Sequence, residues 1–354
     1  MTVPRQQYSA TLLDDTRADD MELLELLRAD PAVAFHDELD VQRSGLRALL
    51  PASDSAYADE APVWAYYPWR RAVVRLLGPG GFRRLRLDRN RNKITRDEQQ
   101  RLRALEIGIV GLSVGHAIAL ALTLEGSCGA LRLADFDDVE LSNLNRVPGT
   151  VFDLGVNKAV VAARRIAELD PYLEVSVHAG GIDSDVMGGF LRGLDLVVDE
   201  CDSLDMKSAI RAQARARRIP VLMETSDRGL LDVERFDLEP DRPLLHGFLG
   251  SVDSGALGGL SQRDLVAQAL RILGPEDVSS RMAASLVELG GTLSTWPQLG
   301  GDVLLGAGCV AAAVRRLGLG LPLPSGRIRI DVDGRLGALG SSAVGPAVDV
   351  DHPA

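Results

Sequence analysis

From Glu106 onward, apolar runs and amphipathic stretches take turns along the chain, and the turns come at the spacing of strands and helices. Ile107–Val110 is a short apolar run suited to a buried parallel strand, and His116–Leu124 continues as an apolar helix. The same reading predicts strands at Ala130–Ala134, Val175–Val177, Leu194–Asp199 and Pro220–Met223. Helices are predicted at Asn157–Leu169, Asp185–Leu191 and Ser203–Arg217. Such alternation predicts an α/β fold, a Rossmann-like and mainly parallel sheet with helices on both faces. Leu230–Phe236 reads as a strand that leaves the parallel pattern, and Asp237–Pro243 as a loop rich in Pro and charge. Further on, helices are predicted at Ser261–Leu273 and Asp302–Arg316, and a hairpin over Arg327–Leu339 turning at Asp333-Gly334.

Upstream the pattern is sparser. Residues 1 to about 17 read as disordered, and Asp19–Ala29 then places Met21, Leu23, Leu24, Leu26 and Leu27 at helical spacing. Pro51–Pro62 is a Pro/Ala/Ser-rich linker, followed by the aromatic patch Trp64-Ala65-Tyr66-Tyr67-Pro68-Trp69. That patch reads as a hydrophobic anchor docking an N-terminal helical arm on the main domain or on a second subunit, with a stacking platform for a substrate as the alternative. The organisation expected is an N-terminal extension over 1–87, a main domain over 88–340 and a disordered tail over 341–354.

Composition narrows the partners. Lys and Arg total 39 against 50 Asp and Glu, a formal charge of -11, which argues against a general nucleic-acid or membrane-surface binder. The basic stretch Arg211–Arg218 reads as a solvated helix face. Cys128, Cys201 and Cys309 have no paired spacing, which fits a reducing cytoplasm and offers neither a disulfide framework nor a structural zinc site. No apolar run approaches the ~20 residues of a membrane span, so the expected localisation is cytoplasmic.

Candidate chemistry gathers where the parallel strands end. In Val110-Gly111-Leu112-Ser113-Val114-Gly115, Gly111 allows a tight turn, Ser113 is small enough to leave room for a phosphate, and the amides from Val114 through Gly115 to His116 open a helix. Alone this is a weak signal, because Ser113 and His116 stand where a dinucleotide fingerprint has glycines. Asp135 follows at the interval of a ribose-binding carboxylate. Ser142-Asn143-Leu144-Asn145-Arg146 then adds an amide and a guanidinium that suit a triphosphate, and Gly155-Val156-Asn157-Lys158 opens the next helix with a lysine. The strand Leu194–Asp199 leads into Glu200-Cys201-Asp202-Ser203 at the same edge, and a carboxylate beside two phosphate-binding cations points to Mg2+.

These elements, a D-x-D followed by S-N-L-x-R, then G-x-x-K, then D-x-x-D, resemble in order those of the E1-like activating enzymes of the ThiF/MoeB/HesA branch, over about Asp88–Val233. The resemblance implies an adenylyltransferase that uses ATP and Mg2+ to adenylate a substrate carboxylate. It implies Asp135 on the ribose, Asn143, Arg146 and Lys158 on the phosphates, and Asp202 on the metal. Asn90-Arg91-Asn92-Lys93-Ile94 resembles the family's N-R-Q-I element, which makes Arg91 a finger supplied in trans within a homodimer, or else one of several exposed arginines. The long N-terminal extension resembles a bacterial group in which some members carry a fused nitroreductase-like domain, so a nitroreductase-like partner is an expectation.

Two features of the family are absent from the sequence: a cysteine on the loop after the strand corresponding to Leu231–Phe236, and paired C-x-x-C motifs. A free acyl-adenylate is therefore the expected product, and Cys201 reads as a small buried strand-end residue. The acid remains open between a carrier-protein C-terminus, a peptide and a small metabolite. Glu224-Thr225-Ser226-Asp227-Arg228-Gly229 stands in place of the cysteine loop, with Arg228 and Arg242 reading either as holders of the substrate carboxylate or as salt-bridge partners. His116 and His246 read as structural. Rival readings are an NAD-dependent oxidoreductase and a catalytically silent nucleotide-binding scaffold.

Overall fold

The N-terminal segment folds into an α/β layer. Thr11–Leu13 (β1), Ala34–Asp37 (β2), Val63–Tyr67 (β3) and Ala72–Leu76 (β4) form a sheet of order β1-β3-β4-β2, accompanied by helices Ala18–Ala29 (α1), Leu39–Arg47 (α2) and Pro79–Arg86 (α3). The helical arm expected from the sequence is thus corrected to a mixed layer, and the stretch expected to be disordered contains a strand. Leu13 buries itself against Leu24, Leu27 and Trp64, which short-range periodicity cannot show. The aromatic patch supplies β3 and the turn after it. Tyr67 packs with Ala167, while Trp69 Nε1 and Arg70 Nε donate to Glu168 Oε1 at 2.6 and 2.7 Å, so the patch docks this layer on the main domain.

The main sheet follows from the alternation. A strand that returns to its sheet through a helix runs parallel to its predecessor. After Arg96–Leu102 (α4) come Glu106–Val110 (β5), Gly115–Glu125 (α5), Ala130–Ala134 (β6), Lys158–Leu169 (α6) and Glu174–His178 (β7). Ser184–Phe190 (α7), Leu196–Asp199 (β8), Leu204–Ala216 (α8), Val221–Thr225 (β9) and Leu230–Glu234 (β10) complete the run. Ser280–Glu288 (α9), Gly300–Gly318 (α10), Gly326–Arg329 (β11) and Val332–Gly337 (α11) follow. The strand order is β11-β10-β9-β8-β5-β6-β7, parallel from β9 to β7, with β10 and β11 antiparallel at one edge. The small residues of α10 let it lie close against the sheet and α5, where Val303, Ala307, Val310 and Val314 join the core.

The computed structural model describes residues 7–51, 57, 59–248, 250, 268, 270–274, 278–289 and 291–339. Most of the helix predicted over Ser261–Leu273, and the tail from 341, lie outside the described residues. The predicted hairpin over Arg327–Leu339 is corrected. β11 pairs instead with the distant β10, and Asp333-Gly334 sits in α11, where Asp331 Oδ1 accepts from Gly334 N at 2.9 Å. Among the described residues no helix is long and apolar enough to cross a membrane.

A second correction concerns Arg211, expected on a solvated face. It is fully buried and bridges Asp199 and Glu234, which are also fully buried. Asp232 extends the network to His246 (2.9 Å) and Arg327 (2.7 Å). Removing one partner of a buried ion pair strands the others without water. Arg211→Ala should therefore lose on the order of 3–5 kcal/mol in chemical denaturation; a loss below ~1 kcal/mol would show the network to be dispensable.

His116, in the first turn of α5, is also fully buried, and neither ring nitrogen has a hydrogen-bond partner. Burial takes its pKa from 6.5 down to about 3, so the folded ring is neutral while the unfolded ring gains a proton below pH 6.5. Stability linked to this group is complete above that pH and falls as pH drops, by about 1.4 kcal/mol per unit. Urea denaturation at pH 7 and pH 5 should show wild type losing about 2 kcal/mol more than His116→Leu. Equal losses would rule the linkage out.

Candidate active site

In an open parallel sheet, ligands bind beyond the carboxyl ends of the strands, where the strand order reverses direction. β5 has β6 on one side and β8 on the other, so its carboxyl end is that point. The turn there is held tightly. Gly111 has φ +88°, and a Cβ on it would collide with the Glu200 carbonyl, so glycine is needed twice over. Gly111 N donates to Ala134 O (2.9 Å), and Glu200 N donates to Val110 O (2.8 Å), which ties the ends of β5, β6 and β8 together.

Each residue singled out from the sequence takes a definite place around this turn. Asp135 is buried, with Oδ2 accepting from Leu112 N (2.6 Å) and Oδ1 from Asp137 N (2.8 Å). Burial pushes its carboxyl up, and those two amides pull it back. Ser113 Oγ accepts from Arg146 Nε at 3.0 Å, so the serine positions the guanidinium as well as leaving space. Arg146 Nη1 also donates to Asn145 Oδ1 (2.9 Å), and Asn143 is buried with Oδ1 accepting from Glu140 N (3.0 Å). Gly115 opens α5 against Ile109. Lys158 is buried at the start of α6, capped by Asn157, and its Nζ lies 2.8 Å from Asp137 Oδ2.

Ser113, Arg146, Cys201 and Asp202 line a pocket of about 190 Å³ that continues past Glu200 to Glu224 and Trp296. Gly111, Gly115, Asp135, Asn143 and Lys158 surround the turn but do not line that pocket. Arg91 stands apart from both. Its Nε lies 3.1 Å from Asp88 Oδ1, and the neighbouring Asn90 Nδ2 donates to Glu125 O (2.9 Å) at the far end of α5. That helix has 11 residues and spans about 16 Å, so Arg91 does not join the site of its own chain.

Cys201 Sγ donates to Asp199 Oδ1 at 2.8 Å, and burial together with that carboxylate pushes the thiol well above its usual range. It is a poor nucleophile at neutral pH. Arg228 pairs with Asp331 (2.7 Å) and Arg242 with Glu239, while His246 sits between Asp232 and Arg242. Among the described residues no three His, Cys, Asp or Glu side chains are grouped to hold a metal, so a cation beside Asp202 would need oxygens from a ligand as well.

Two pocket residues lay outside the sequence reading of the site. Glu200 Oε1 accepts from Glu224 N (2.8 Å), and Glu224 is buried with neither carboxyl oxygen hydrogen-bonded. The available signal was a glutamate at the end of the apolar run Val221–Met223, the same signal that singled out Asp202 after Leu194–Asp199.

Comparison with known proteins gives one family match, to the ThiF family over residues 87–246. The chain is 55% identical over 341 residues to the uncharacterized protein MT1398 of Mycobacterium tuberculosis, covering 96% of this chain and 48% of that one. It is 34% identical over 128 residues to the tRNA threonylcarbamoyladenosine dehydratase of Escherichia coli, covering 36% and 47%. To the molybdopterin-synthase adenylyltransferase of Haemophilus influenzae it is 29% identical over 150 residues, covering 42% and 61%. The chain thus spans about half the length of the curated relatives it matches. With the Gly111 turn, Asp135, Arg146, Lys158 and Asp202 at one sheet edge, residues 87–246 match the ThiF family.

Proposed function

We propose that this protein is an ATP- and Mg2+-dependent adenylyltransferase that joins a substrate carboxylate to AMP and releases pyrophosphate. The observation that carries the reading is that Arg146 and Asp202 line one pocket, beside a turn braced by Asp135. A relative named as an adenylyltransferase supports it. Asp135 has lone pairs left for ribose hydroxyls after accepting two amides, and Asn143 has its amide NH2 group for a phosphate oxygen. Arg146, held by Ser113, donates to phosphate in a fixed plane, while Lys158 and Asp137 act as a pair whose cation faces the triphosphate.

Asp202 is the residue that would hold Mg2+, which supplies charge neutralisation on the phosphates when bound. The attacking carboxylate is already ionised at neutral pH and requires no general base. Alignment and charge neutralisation are then the main contributions. The product is a free acyl-adenylate, because Cys128 and Cys201 are buried or hydrogen-bonded and Cys309 lies within α10. The acid is a carrier-protein C-terminus, a peptide or a small metabolite. Arg91 acts in trans within a homodimer, in keeping with its distance from its own site, and a nitroreductase-like partner acts with the complete protein.

Thermal unfolding with MgATP, ATP plus chelator, or NAD tests the nucleotide, since a ligand bound only by the folded state raises its stability. MgATP should raise the midpoint of wild type, and Lys158→Ala should lose most of that shift. In pyrophosphate exchange the same variant should be slower by about 10² to 10³. A shift with NAD alone would replace this reading with an oxidoreductase, and full exchange in Lys158→Ala would remove it.

A further inference from the structure

One wall of the pocket is not accounted for by a nucleotide. Glu224 is 3% exposed, lines the pocket, and among the described residues has no hydrogen bond to either carboxyl oxygen. A buried carboxyl without partners is costly, and natural structures keep one where something binds or reacts. The packing has been shaped to keep it: α10 passes over it at Gly306, where any Cβ would strike the carboxyl. Glu200 closes the group, with Oε1 fixed by Glu224 N.

The local charge selects the ligand. Glu200, Glu224 and Asp227 line the pocket, and Asp302 adds to the field at Glu224. Of the cations that line it, Lys207 lies 3.5 Å from Asp199 and Arg146 is held by Ser113. An anion is not favoured at Glu224, where burial and Asp302 already act against negative charge. Among the described residues no three His, Cys, Asp or Glu side chains are grouped there as metal ligands. A group with one positive charge and several N–H donors suits two carboxyls. Burial pushes Glu224 up to about 8, so it is protonated at neutral pH when the pocket is empty and ionises when a cation arrives.

We propose that Glu224, with Glu200, forms a binding site for a primary ammonium group, and that this amine is the acyl acceptor. The binding part stands on the geometry alone; the acceptor role rests on the adenylation reading. The bound ammonium passes one proton to Glu224, breaking N–H and forming O–H, which leaves a neutral nitrogen lone pair. That nitrogen forms a C–N bond to the acyl carbon, the bond from carbon to the phosphate oxygen breaks with its electron pair on AMP, and the nitrogen's surplus proton passes to solvent.

n-Propylammonium chloride, matched in ionic strength with NaCl, is the probe, titrated into the full chain and followed by calorimetry and thermal unfolding. Wild type should bind it, and Glu224→Gln should bind about tenfold more weakly or worse, as expected when one charge of a buried pair is removed. A cooperative thermal unfolding transition in Glu224→Gln serves as the check that it is folded. Should that variant fail to fold, Glu200→Gln takes its place and should also weaken the amine. No binding beyond NaCl in wild type, or unchanged affinity in the folded variants, overturns the site. Amine binding that depends on Glu224 in a protein giving no MgATP shift supports the site while removing the adenylation reading.

Discussion

The contact between Gly111 and the Glu200 backbone is the constraint on which the rest of the site depends. Two parallel strands, β5 and β8, leave the sheet side by side, and only the absence of a side chain at Gly111 lets their continuations touch. Because they touch, the turn that begins α5 lies directly beside the loop carrying Cys201 and Asp202. Asp135 completes the arrangement from the third strand end by accepting the Leu112 amide. Three segments far apart in sequence are thereby fixed relative to one another through backbone contacts and the Asp135 carboxylate, while Arg146 and Asp202 line the pocket.

Behind this edge the protein holds its charges in two different ways. Arg211 with Asp199 and Glu234 is a closed set in which burial is matched by ionic partners. Despite burial, Lys207 and Arg211 hold the Asp199 carboxyl below its usual range. Glu224 is the opposite case, buried to a similar degree with nothing to bond. The two lie on neighbouring strands, so the contrast does not come from depth. It comes from what faces each residue: α8 brings two cations to Asp199, whereas α10 brings Gly306 and the carboxylate of Asp302 towards Glu224.

The N-terminal layer bears on the site through α6. Tyr67, Trp69 and Arg70 grip the end of that helix at Ala167 and Glu168, while its first residue is Lys158. Arg164 adds a stacking contact over the Trp69 ring at 5.5 Å. A helix clamped at one end by this layer and capped at the other by Asn157 presents its lysine in a fixed place.

Sequence alone determined the elements that depend on local pattern. Apolar runs of strand length between amphipathic helices gave β5 to β10, α5 to α8 and α10 nearly residue by residue, because burial on both faces of a parallel sheet leaves a plain signature. Motif order placed Asp135, Arg146, Lys158 and Asp202 at one edge, since strand-end residues of parallel strands must share it. What required tertiary structure was every partner chosen at long range. The pairing of β11 with β10, the four-stranded N-terminal sheet and the burial of Arg211 depend on segments tens of residues away. Glu224 was visible as a glutamate ending an apolar run, but its lack of partners is a property of the space under α10. That space exists only once the helix has packed, and no periodicity in the chain encodes it.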